Sequence, residues 1–138
     1  MASLQDAIEA VMDVVGAIDG INKLEDYPPN SLDRFPFAFC YVVGGTGDWL
    51  AFQTAEIKAN LVLELHFARS DVTQAVKKAM AYSDNVLLAL MNEDTLGDCG
   101  FKLDGPIGFT FGPMDYGETA TIGWRWTIPV QGETDLTT

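Results

Sequence analysis

Residues 3 to 18, "SLQDAIEAVMDVVGAI", repeat their apolar positions at helical spacing. Leu4, Ile8, Val11, Val15 and Ile18 share one face of a 3.6-residue turn, and Asp6, Glu9 and Asp13 share the opposite one. Ser3 is placed to cap this helix, with Asp6 three residues on, and Gly20 is a natural stop. A connector over residues 21 to 35 follows, in which Pro28-Pro29 fixes two φ angles and pushes Tyr27 out of the helical region.

The pattern then changes to that of strands. "PFAFCYVV" at 36–43 is aromatic and β-branched, the glycines of "GGTGD" at 44–48 predict a turn, and residues 49 to 54 return as the second arm of a hairpin. From residue 57 the alternation is strict: Ile57, Ala59, Leu61, Leu63, Leu65 and Phe67 lie on one face. Lys58, Asn60, Glu64 and His66 lie on the other, with Val62 the exception. This predicts a half-buried antiparallel strand.

At residue 69 the period returns to 3.6. Ser70 is the expected cap, Val72, Val76, Ala79, Ser83, Leu87 and Leu90 form the expected inward stripe, and the second helix is predicted to run to about residue 92. The polar segment 93–106 reads as a loop, 107–111 as a short strand and "GPMDYGE" as a turn. The closing strand alternates Ala120, Ile122, Trp124, Trp126, Ile128 and Val130 with Thr119, Thr121, Gly123, Arg125 and Thr127. Pro129 points to a strand end or a sheet edge, and residues 131–138 to a C-terminal tail able to act as an inter-subunit arm.

With no internal repeat and no long linker, residues 1–138 read as a single α+β domain. The expected architecture is a largely antiparallel sheet of four to five strands with two helices packed on one face.

Composition narrows the function. Eight Lys and Arg against 20 Asp and Glu give a net charge of −12, which leaves no basic footprint for phosphate or nucleic-acid binding as a main task. The N-terminal stretch has no Lys or Arg, and Asp6, Glu9 and Asp13 interrupt every candidate signal-peptide core. No apolar run is long enough to span a bilayer, so the expectation is a soluble protein with no membrane partner. Cys40 and Cys99 lack metal-ligand or redox spacing and read as inert thiols.

Catalytic motifs are missing: no GxSxG elbow, HExxH, phosphate-binding glycine loop or EF-hand ladder is present. His66, beside Glu64 on the polar face of its strand, is expected to face solvent or an interface. Glu93, Asp94, Asp98 and Asp104 match no metal cage and read as a solvated loop. The expectation is therefore no enzyme, no cofactor and no metal. Three features favour a surface for other protein instead. They are the connector with Tyr27, Pro28, Pro29 and Phe35, the hairpin with Trp49 and Phe52, and the pair Trp124 and Trp126, which suits either core or interface.

The N-terminal amphipathic helix, the connector "YPPNSLDRFPFAF" entering a strand, the strand "EIKANLVLELHFA" running into the second helix, and the closing strand pair come in a telling order. In this order the chain resembles the tail terminators of tailed bacteriophages. The resemblance implies a structural virion protein, made in the host bacterial cytoplasm and placed at the tail-head junction. It implies a homo-oligomeric ring, commonly a hexamer, that caps the tail tube, ends its growth and joins it to a head-completion or connector protein. DNA would pass through the central channel without specific binding. Asp6, Glu9 and Asp13 are then candidates for channel charge, an outward solvated face being the other reading. The prolines of the connector would make a pre-ordered arm for docking on a neighbouring subunit. Two alternatives stand beside this: a head-completion or neck protein on the connector side, and a small-molecule-binding α+β module with Trp124, Trp126 and Tyr116 lining a pocket.

Overall fold

The computed structural model describes residues 3–23, 36–69, 72–116 and 119–135. In α1 (Leu4–Gly16) the expected cap is a full capping box: Ser3 Oγ accepts from the Asp6 amide at 3.1 Å, and the Asp6 carboxylate accepts from the Ser3 amide at 3.2 Å. Ala7, Ile8, Val11, Met12 and Val15 are buried. Tyr27, Pro28, Pro29 and Phe35, together with Ser70, lie outside the described residues.

The protein is α+β, as expected. Its sheet has the order β1-β2-β3-β6-β4, with β5 also pairing with β6. The strands are β1 (Asn22–Lys23), β2 (Phe37–Ala51), β3 (Thr54–Ala68), β4 (Phe101–Leu103), β5 (Gly108–Tyr116) and β6 (Thr119–Asp135). All pairings are antiparallel except the two-residue bridge of β1 with β2. The helices are α1 and a bent second helix, α2 (Val72–Met80) and α3 (Ser83–Asn92).

Register places the core. Leu63 lies opposite Cys40 on one side and Trp126 on the other, and Leu65 opposite Ala38 and Trp124. These residues share the face on which α1, α2 and α3 bury Val11, Ala79, Val86 and Leu90. Trp124 and Trp126 stack there with ring centroids 5.9 Å apart, and Trp126 is fully buried. They are core residues, so the interface and pocket roles allowed for them do not apply.

The two indoles differ in one respect. Trp124 Nε1 donates to the Ala79 carbonyl at 2.9 Å, satisfying an acceptor near the end of α2, whereas Trp126 Nε1 is buried with no hydrogen-bond partner among the described residues. Trp124→Phe should therefore cost about 1 kcal/mol more than Trp126→Phe, since the first loses a buried hydrogen bond, the Ala79 carbonyl keeping the one it accepts from the Tyr82 amide, and the second removes an orphaned donor. Urea unfolding of the two variants checks this, and equal midpoints would contradict it.

The structure corrects several sequence expectations. "GGTGD" is not a turn. β2 runs through it to Ala51, which pairs with Thr54 across a two-residue loop of Phe52 and Gln53, the latter at φ 63°. Gly45 serves close approach instead, since a Cβ there would lie 2.2 Å from the Lys58 carbonyl oxygen. The second helix breaks at Ala81-Tyr82, and this shifts its buried stripe to Ala75, Ala79, Val86 and Leu90, leaving Leu87 only half-buried. Phe101–Leu103 is strand rather than loop, and "GPMDY" belongs to β5.

The tail expected from residue 131 is also strand as far as Asp135, because Gly132, Glu133, Thr134 and Asp135 pair with Ile57, Glu56, Ala55 and Thr54. Pro129 sits mid-strand opposite Asn60. It is tolerated because the N and O of one strand residue point the same way, and the Pro129 carbonyl accepts from Asp104 at 2.9 Å. Its nitrogen therefore faces the gap where β6 passes from β5 to β4, and no bond to β3 is lost.

Candidate functional site

Beyond Val42 every β2 residue to Ala51 is exposed, so the β2–β3 hairpin carries its end away from the helical layer. At that end Trp49 is 79% exposed, Phe52 89% and Leu50 48%. The Asp48 carboxylate accepts from the Trp49 amide at 2.8 Å. An apolar cluster displayed on a ladder-paired hairpin has its backbone already ordered, so covering it gains apolar burial at little further conformational cost. The two hairpin residues singled out from sequence, Trp49 and Phe52, thus come together at one exposed tip.

Asp6, Glu9 and Asp13 line an open groove of about 430 Å³ between α1 and residues 93–99, which Glu93 and Cys99 also border. Glu9 and Asp13 are exposed and Asp6 is half-buried. The groove concentrates negative charge on one flank of the helical layer. Among the described residues no group of His, Cys, Asp and Glu has the arrangement of a metal site.

His66 is not at the surface. The face of the sheet opposite the helices is itself covered at one end, and there His66 is fully buried, with its ring stacked between those of Phe37 (centroids 4.8 Å) and Phe39 (5.4 Å). His66 Nε2 lies 2.8 Å from Glu64 Oε1, and Nδ1 lies 2.6 Å from Thr121 Oγ1, which in turn reaches the Met114 carbonyl at 3.3 Å. Tyr41 donates its hydroxyl to Glu64 Oε2, and the Arg125 guanidinium approaches the same oxygen at 3.5 Å.

Burial pushes the Glu64 carboxyl up. The hydrogen bonds from His66 and Tyr41, together with the electrostatic influence of the nearby His66 and Arg125 side chains, outweigh it and hold the group below its ordinary value of 4.5. Burial, with the Glu64 carboxylate beside it, pushes the Tyr41 hydroxyl up to about 12. Burial likewise pushes the Cys40 thiol up to about 12, which keeps it protonated and unreactive.

Sequence reasoning missed this cluster. The signal was in β2, where Phe37, Phe39 and Tyr41 alternate with Ala38 and Cys40, so that both faces of one strand are apolar; Val62, the exception in β3, belongs to the same second face. Chemically the cluster has an acid, a base and a phenol in contact. Each is spent on its neighbours, and the cluster orients β2, β3 and β6 relative to one another.

No known family model matches the chain, and no curated protein matches it. No helix among the described residues is long and apolar enough to cross a membrane.

Proposed function

We propose that this protein is a structural ring component of a phage virion, a tail terminator that caps the tail tube and joins it to the head-side connector. The observation that carries the reading is the long hairpin whose tip displays Trp49, Leu50 and Phe52 to solvent, an arrangement suited to an assembling subunit and costly for a solitary one. The α+β architecture agrees with the order of elements on which the resemblance rests.

The mechanism is non-chemical. Copies of the chain associate head to tail into a ring, commonly a hexamer in such proteins. One face of the ring ends growth of the tube protein and the other receives the head-completion protein, with shape and charge matching setting partner choice. A net charge of −12 on each copy would let DNA pass the channel without adhering. The acidic flank of α1, with Asp6, Glu9 and Asp13, is the lining we assign to that channel.

Light scattering and negative-stain imaging of the purified protein, with and without assembled tail tubes, test the reading. The expected result is a ring, or a 15.0-kDa monomer that becomes a cap at one tube end. A monomer indifferent to tubes overturns it.

A further inference from the structure

A second exposed surface lies on the bent helix. Lys77 and Met80 are exposed on α2, and beyond the break at Ala81-Tyr82 Asp84, Leu88 and Met91 follow one another on α3 at steps of three or four residues, with Met80 43%, Leu88 55% and Met91 57% exposed. Lys77 and Lys78, both exposed, form the only adjacent basic pair in a chain with eight basic residues. The surface therefore has a positive end at α2 and exposed apolar residues to either side of Asp84, while Glu93 and Asp94 stand beyond its other end.

The hairpin tip is its counterpart. From Gly44 to Ala55 the sole charged residue is Asp48, directly beside Trp49. An apolar tip with one negative charge faces repulsion over most of a chain carrying −12, and the Lys77-Lys78 end is where that charge finds two cations on the same helix as the exposed Met80. The exposure of Trp49 and Phe52 shows that the tip does not rest on its own helices.

We infer that the hairpin tip of one copy docks on the α2–α3 surface of the next, with Asp48 against Lys77 and Lys78 and with Trp49 and Phe52 over Met80, Leu88 and Met91. Two unlike patches that meet different neighbours make a heterologous contact, which closes into a ring or continues. The inference rests on the self-assembly part of the proposed function and names the surfaces that carry it.

The test uses two full-length variants, Trp49→Ala with Phe52→Ala in one chain and Lys77→Glu with Lys78→Glu in the other. All four sites are exposed, so thermal melting should stay near the wild-type value. Each variant alone should lose assembly, on tubes or free. An equimolar mixture should then double the monomer mass, because the intact tip of the second variant meets the intact helix surface of the first and the remaining surfaces cannot propagate. Wild-type rings with unchanged assembly in either variant overturn this contact and leave the ring reading standing. Rings that form from the first variant but no longer attach to tubes assign the tip to the tube protein and overturn the contact too. Wild-type protein that is monomeric with and without tubes overturns both.

Discussion

Replacing Glu64 with alanine is expected to destabilise the protein by about 3–5 kcal/mol, the cost of removing one partner from a buried charged cluster and leaving the others unmatched. The side chain of Glu64 is 7% exposed, and its two oxygens take hydrogen bonds from His66 and from Tyr41. Arg125, with its side chain about half exposed, stands to lose little, so the loss falls mainly on the histidine and the phenol.

The pH dependence separates this from a simple packing loss. Since the folded protein holds the Glu64 carboxyl below its ordinary value, the stability it contributes is present above about pH 4.5 and is lost as pH falls through the lower folded value. Tyr41 acts in the other direction: its hydroxyl is raised from 10.0 to about 12, so its contribution is whole below pH 10 and is lost as pH rises toward 12. Glu64→Ala should therefore show a shallower acid limb than wild type, with the two stabilities converging at low pH. Chemical denaturation across pH 3 to 8 measures it, and a constant gap over that range would refute the assignment.

Gly123→Ala is expected to be of comparable severity, about 3 kcal/mol or more, for a different reason. A Cβ at this position would sit 1.9 Å from the Leu65 carbonyl oxygen, a backbone atom of the neighbouring strand, and 3.0 Å from Met114 Cε. Side chains can repack around an added methyl, but here β3 and β6 would have to part in the middle of the sheet. Gly112, directly opposite Gly123 on β5, has open space where its Cβ would be. Gly112→Ala should thus leave stability within about 0.5 kcal/mol or raise it slightly, through the lost freedom of the unfolded chain. Thermal melts of the pair decide the matter, and similar behaviour of the two variants would sink the argument.

Where one physical signal dominated, the sequence was readable. The capped first helix, the alternation from Ile57 to Phe67 and the closing strand with its two tryptophans are all in the structure, and with them the α+β class. The misreadings arose where a residue type serves two purposes. Glycines at 44–47 look like a turn, yet in the hairpin Gly45 permits close approach of Lys58 and Gly44 marks a register shift after Val42. Pro129 argues for an edge only if its nitrogen faces a neighbour, and the break between β4 and β5 removes that condition. Residues 131–135 are polar like a tail, but β3 offers them a partner strand that composition does not announce.

Of the candidate site, Trp49 and Phe52 were legible because no helix in the pattern was left to cover them. The His66 cluster was not, since a polar pair on the second face of a strand carries no sign of what lies above it. Exposed Met80, Leu88 and Met91 were hidden by the break at Ala81-Tyr82, which changes the helical phase that a continuous wheel assumes.

The placement of β6 also sets the timing of folding. It fills the slot between β3 and both β4 and β5, yet among the described strands it comes last in chain order. Until β6 has been synthesised, the fifteen-residue β3 has one whole side of its ladder unmatched, and its pairings with β6 join residues from 53 (Ala68 and Thr121) to 81 (Thr54 and Asp135) positions apart. Such long-range closure is slow, and the waiting strand invites the same strand of another nascent chain. Overproduction of this protein should therefore favour low temperature and slow translation, which keep the concentration of half-made sheets down while the final strand arrives.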